Sequence, residues 1–83
     1  MTELASFGSW AVTAKGVEHK HHRAIVPLWA IYTKAIPELA AYMQRGLAWI
    51  DNNELFTLRL AIQGARQLFD EKECRETLKG YKS

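Results

Sequence analysis

Three histidines close to one another near the start of the chain are the residues with the clearest potential for chemistry. His19, His21 and His22 lie within four positions of a polar run. In an extended strand His19 and His21 would share one face, and neutral imidazole suits zinc, nickel or copper. A structural site usually takes four ligands from separate elements, and the only other Cys or His in the chain is Cys74. The sequence therefore predicts no metal site within one chain, although two copies could complete a half-site between them.

The same segment carries the basic residues of the N-terminal third. The formal net charge of the chain is only +2, and the acidic and basic side chains of residues 36–83 cancel. This cluster is predicted to form a solvated loop that gains charge as the pH falls. The alternative is a nucleic-acid surface whose cations contact phosphates. The candidate residues are Lys15, Lys20, His21, His22 and Arg23.

A second candidate surface consists of Tyr42, Arg45 and Trp49. They stand at positions i, i+3 and i+7 of a predicted helix, on a different face from its main apolar stripe. Tyr, Arg and Trp are the residue types that dominate the energetics of protein interfaces. We predict that these three side chains bind a protein partner; the alternative is that they form a second buried face of the helix.

Catalytic signatures are missing from the sequence. It contains no nucleophile elbow, no His-Glu-x-x-His motif and no phosphate-binding loop. Cys74 stands near a predicted helix start, where a thiol pKa can be lowered, but no base is paired with it, and a packing role is expected. The sequence predicts a protein that is not an enzyme and uses no cofactor.

These candidate residues are predicted to be positioned by a small β region. The run Ser9 to Thr13 alternates like a strand, Lys15-Gly16 is a turn signal, and a return strand could start at Val17. Ala24 to Val26 is also β-prone. A hairpin or meander is therefore expected over residues 8–26.

The rest of the chain has helical periodicity. Pro27 and Pro37 each suit the first turn of a helix, which predicts helices over residues 27–35 and 37–50. A third helix is expected over 54–69, after N-cap candidates beginning at Asp51, and a short fourth helix after Asp70. Two apolar stripes indicate that the second and third helices pack as an antiparallel pair. They consist of Leu39, Met43, Leu47 and Ile50, and of Leu55, Leu58, Ile62, Ala65 and Phe69.

Size and composition favour one small α+β domain over residues 1–83, with a hairpin region (8–26) packed on three to four helices (27–80); an all-α fold is the alternative. A hydrophobic share of 48% and a charged share of 24% argue against a disordered chain. A lone cysteine argues against a disulfide-stapled secreted scaffold. Because there is neither a signal-peptide pattern nor an apolar run long enough for a bilayer, a cytoplasmic protein without membrane contact is expected.

The order of features resembles that of small proteins carried by bacteria and their phages and plasmids. The resemblance rests on the segment from Trp10 to Gly16, the following β-prone run, and the segment from Ala48 to Asp51 before a helix. It implies an accessory role and no particular activity. The function expected from the sequence is a non-enzymatic protein-interaction module, regulatory or inhibitory, which could form a homodimer. A nucleic-acid-binding accessory protein is the alternative.

Overall fold

The computed structural model describes the backbone of residues 3–82 and the side chains of residues 3–76. A four-stranded antiparallel sheet precedes the helices, so the predicted α+β class is confirmed. The elements are β1 (Ala5–Phe7), β2 (Trp10–Thr13), β3 (Gly16–His19), β4 (Ile25–Pro27), α1 (Leu28–Ile31), α2 (Ile36–Gly46), α3 (Asn52–Leu68) and α4 (Glu71–Lys82).

The sheet is a meander in the order β1-β2-β3-β4, larger than the predicted hairpin region. The additional strand, β1, is only three residues long, so its own alternation is too short to indicate a strand. Its pairing is fixed by the two-residue turn Gly8-Ser9, which places Phe7 opposite Trp10. Gly8 has a φ of 60°, as the first central residue of a tight hairpin turn often requires.

The turn between β2 and β3 depends on Gly16. This residue has a φ of 134°, and a Cβ built on it would lie 2.1 Å from the carbonyl oxygen of Val26. Backbone of the neighbouring strand β4 therefore occupies the space that any other residue would need.

The core lies between the inner face of the sheet and α3. Pairing places Trp10, Val12, Val17 and Val26 on that face, because side chains alternate along each strand and paired residues share a side. All four side chains are buried, together with Leu58, Ile62 and Ala65 of α3. The predicted stripe of α3 is thus confirmed as core, although much of it packs on the sheet.

The helix boundaries differ from the predicted ones where the chain returns to the core. α3 begins two residues earlier than expected, with the Asp51 carboxylate accepting a hydrogen bond from the Glu54 N–H at 2.8 Å. α2 ends at Gly46 instead of Ile50, because Leu47 is extended (φ −130°, ψ 100°) and the chain turns so that Ile50 is buried. α1 is one turn long instead of extending to residue 35, and Pro27 belongs to β4. α4 continues to Lys82, two residues beyond the predicted end of the helical region.

Arg66 and Tyr32 join α3 to the end of α1. The Arg66 guanidinium donates hydrogen bonds to the carbonyl oxygens of Ile31 (2.6 and 2.9 Å) and Lys34 (2.6 Å). The Tyr32 hydroxyl lies 2.7 Å from the carbonyl oxygens of both Arg66 and Phe69. The carbonyl groups of Ile31, Arg66 and Phe69 lie at the C-terminal ends of helices, where they have no partner within the helix, and these contacts secure the single turn of α1.

Replacing Gly16 by alanine should destabilise the fold. Because the new Cβ would collide with backbone at an unfavourable φ, we expect a loss of about 2–3 kcal/mol in the free energy of unfolding, measured by urea denaturation. Gly46→Ala is the matched control, since a Cβ there meets no atom within 4 Å; it should leave stability unchanged or slightly higher. Equal unfolding midpoints for the two variants would contradict the assigned role of Gly16.

Candidate binding surface

His19 is a structural centre rather than a free imidazole. Its side chain is only 3% exposed, and its Nε2 lies 2.5 Å from a carboxylate oxygen of Glu54. Its Nδ1 accepts hydrogen bonds from the backbone N–H groups of His21 (3.1 Å) and His22 (3.0 Å). Because Nδ1 accepts two hydrogen bonds, the proton of the neutral ring lies on Nε2 and is donated to Glu54. One side chain therefore ties β3, the following loop and α3 together.

This arrangement bears directly on metal binding. Both ring nitrogens of His19 already have partners within the protein. Among the described side chains, no three His, Cys, Asp or Glu residues are placed to hold a metal ion together.

The loop between β3 and β4 is also fixed by an aromatic stack. The His22 ring lies flat on Trp49, with ring centroids 4.0 Å apart and planes at 13°. Trp49 in turn lies 6.0 Å from Trp10, the buried tryptophan of β2. His21 and His22 are exposed, as the solvated-loop prediction expects, yet the backbone N–H groups of Lys20, His21 and His22 are each hydrogen-bonded to other parts of the protein.

Tyr42, Arg45 and Trp49 do not form the single helical patch expected from their spacing. α2 ends at Gly46, so the i, i+7 relation to Trp49 does not hold. Trp49 is half-buried against the histidine loop. Tyr42 (61% exposed) and Arg45 remain together on the solvent side of α2.

The predicted basic loop is likewise divided. Lys15 lies in the β2–β3 turn, at the opposite end of the sheet from residues 20–23. The Lys20 ammonium donates a hydrogen bond to the Ser6 hydroxyl across the sheet. Arg23 lies next to the start of β4, where it lines a groove with Tyr42. The structure thus places Arg23 of the predicted basic loop and Tyr42 of the predicted partner-binding surface on the same groove.

This groove separates β4 from α2 and has a volume of about 330 Å³; we call it the β4–α2 groove. Its lining is mostly apolar, and Ile25 on its strand side is 40% exposed. Sequence reasoning identified two of its residues, Arg23 and Tyr42, and missed the others. Ile25 could have been recognised as a surface residue from the alternation of side chains along a strand. Its neighbours Ala24 and Val26 both face the core, so the apolar side chain between them lies on the opposite face. The lining residues are Arg23, Ala24, Ile25, Tyr42, Met43, Gly46 and Leu47.

A second groove begins on the other side of Tyr42. It has a volume of about 370 Å³ and is lined by Lys34, Pro37, Glu38, Ala41, Tyr42 and Arg45. Within the described side chains, none of Arg23, Lys34 and Arg45 forms an ion pair. Tyr42 therefore stands between two depressions that carry three cations and one carboxylate.

Cys74 is a packing residue, not an activated thiol. It is buried on α4, which packs against α1. Burial raises the pKa of its thiol, and the nearby carboxylates of Asp70 and Glu73 raise it further. Burial also raises the pKa of Tyr32, with additional contributions from Cys74 and acidic residues that outweigh the opposing effect of Arg66.

Comparison of the chain with models of known protein families, with curated proteins and with solved structures finds no match. Over the described residues, no helix combines the length and the apolar character that crossing a bilayer requires. Function must therefore be argued from the surface itself.

We expect His19→Phe to destabilise the protein although it keeps an aromatic ring of similar size. The change would leave the Glu54 carboxylate and two backbone N–H groups without their present partner, at a cost of about 2–3 kcal/mol in the free energy of unfolding. His21→Phe is the control, since that side chain is exposed, and its effect should stay within about 0.5 kcal/mol. If urea denaturation gave the two variants the same stability, His19 would not be the tether described here.

The thiol of Cys74 should react slowly with a disulfide reagent at pH 8 while the protein is folded, and at the rate of a free thiol in urea. Fast labelling of the folded protein would refute the assignment of Cys74 as a buried packing residue.

The stability of the protein should also depend on pH through Cys74 and Tyr32. Because the pKa values of the Cys74 thiol and the Tyr32 hydroxyl are raised in the folded state, this state retains protons that the unfolded state loses. The stabilising contribution of the two groups is therefore complete below their unfolded pKa values and is lost as the pH rises through their folded pKa values. The free energy of unfolding should fall between pH 8 and pH 10, and less steeply in Cys74→Ala.

Proposed function

We propose that this protein is a non-enzymatic interaction module that binds a protein partner through the surface around Tyr42. The observation that carries the proposal is a largely exposed tyrosine on the wall of a mostly apolar groove, flanked by arginines that form no ion pair among the described side chains. Aromatic and arginine side chains beside apolar depressions are the usual centres of binding energy in protein interfaces.

The position of the surface supports a recognition role. Tyr42 and Arg45 belong to α2, and Arg23 follows a loop that is held by His19 and by the stack of His22 on Trp49. A surface built on fixed elements loses less conformational entropy on binding than a mobile one. We propose that the protein acts as an accessory factor that regulates or inhibits its partner by binding to it.

A protein partner accounts for these features better than nucleic acid does. Phosphate binding relies on a continuous row of cations, whereas Lys15 lies at the far end of the sheet from Arg23 and Lys20 is hydrogen-bonded to Ser6. Tyr42 lines a mostly apolar groove, a setting suited to an apolar interface. Affinity that survives a rise from low to moderate salt would favour protein, and a fall by orders of magnitude would favour phosphate contacts.

A photo-crosslinking amino acid placed at position 42 should trap a discrete partner in the cells from which the protein comes. Position 56 is the matched control, because Phe56 is also 61% exposed but lies on α3. We expect a defined adduct from position 42 alone, and loss of that adduct when Arg23 and Arg45 are both changed to Glu. In a purified complex, Tyr42→Ala should weaken binding at least about tenfold and Phe56→Ala should not.

The same adducts from both positions, or none from position 42, would remove this surface from the proposal. Circular dichroism of each variant establishes that the fold is retained. Solution mass of the wild-type protein shows separately whether a second copy is the partner.

A further inference from the structure

The outer edge of β4 presents backbone groups beside the groove that pair with no other strand of the described chain. In an antiparallel pair, alternate residues direct their N–H and C=O groups toward the neighbouring strand. The backbone N–H of His19 donates a hydrogen bond to the Ala24 carbonyl oxygen, so the N–H and C=O groups of Ala24 and Val26 are directed toward β3. Ile25, the residue between them, directs its N–H and C=O away from β3, and among the described residues no strand lies beyond β4 in the sheet order. An edge of this kind is a template for a further strand.

The helix side of the groove leaves room for such a strand. Gly46 is part of the wall, and a Cβ built on it would meet no atom within 4 Å. Tyr42, one turn earlier on α2, leaves most of its side chain exposed. An extended segment lying along β4 could thus insert alternate side chains between the strand and the helix.

The charged side chains at the groove indicate which residue types the added segment should contain. The lining of the groove includes Arg23 and no carboxylate, and Arg45 lies one turn from Tyr42 on the adjoining groove. Neither arginine forms an ion pair among the described side chains. A ligand with carboxylates next to its apolar residues would pair with these cations, whereas a basic ligand would be repelled.

We infer that the partner contributes an extended acidic segment that adds to β4 as a fifth strand, with apolar side chains in the β4–α2 groove. This inference rests on the proposed function and specifies its mode: backbone hydrogen bonds at Ile25 supply affinity, while the groove and Arg23 supply specificity. The segment is recognised by its conformation and charge pattern.

The test uses acetylated and amidated octapeptides of alternating valine and aspartate, titrated into ¹⁵N-labelled protein. We expect saturable binding with the largest amide shifts at residues 23–26 and 42–47. Two further peptides carry N-methyl groups on every valine or on every aspartate. Because only alternate peptide N–H groups face the edge of β4, one methylated peptide should lose binding and the other should keep it.

Variants test the charge and the space. A valine–lysine octapeptide should bind at least tenfold more weakly, and Arg23→Glu should reverse that preference, whereas Arg59→Glu on the exposed side of α3 should not. Gly46→Leu should reduce binding at least tenfold by filling the groove, with the unfolding midpoint retained because the added side chain begins in open space.

Several results would overturn the inference. The first two are a lack of saturable binding at millimolar peptide and amide shifts that are concentrated at β1. The other two are equal binding of the two methylated peptides and a wild-type dimer that dissociates in the Gly46→Leu variant. If position 42 still traps a protein partner in any of these cases, the proposed function stands and only strand addition fails. If position 42 traps nothing while the peptides bind as expected, the groove is a strand-binding site and the partner surface around Tyr42 is wrong.

Discussion

The packing of α3 against the inner face of the sheet determines where the other elements can lie. Trp10, Val12 and Val17 form a continuous buried surface, and Leu58 and Ile62 cover it. In a chain of this size one such layer contributes most of the available hydrophobic stabilisation, so each other element must fit around it. β1 and β4 extend the sheet on either side, and α2 lies along α3.

One polar contact within this layer links the core to the candidate surface. Glu54, in the first turn of α3, bonds to His19 on β3, and its backbone carbonyl oxygen accepts a hydrogen bond from the Trp10 indole at 3.2 Å. The other nitrogen of His19 holds the loop that leads to Arg23. A buried imidazole whose two nitrogens are both satisfied is a stable element, because neither nitrogen loses hydrogen-bonding capacity on folding.

The groove follows from these restraints. Since the loop after β3 is attached at His19 and Trp49, β4 begins at a defined place, and the early end of α2 at Gly46 leaves open space opposite it. The candidate surface therefore combines a strand edge, a helix face and a loop. None of these three segments contains the whole surface. This composition explains why Arg23 and Tyr42, nineteen positions apart, belong together, while Tyr42 and Trp49, seven apart, do not.

Local pattern was sufficient for the parts of this protein that depend on near neighbours. The apolar period of α3, the caps at Asp51 and Asp70, and the alternation of β2 are properties of a few consecutive residues, so the α+β class and most elements could be predicted. The end of α2 could not, because the extended conformation of Leu47 accompanies burial of Ile50 in the core, which is a long-range effect.

Only the tertiary structure decided which candidate residues meet. His19 and Glu54 are 35 positions apart, and neither residue type indicates its partner from sequence. The same holds for Arg66, whose spacing suits a solvated helix face but whose guanidinium reaches the carbonyl groups of Ile31 and Lys34. Sequence determines what each side chain can bond to; the packing of the sheet on α3 determines which bonds are within reach, because hydrogen bonds and ion pairs require contact distances that only the folded chain sets.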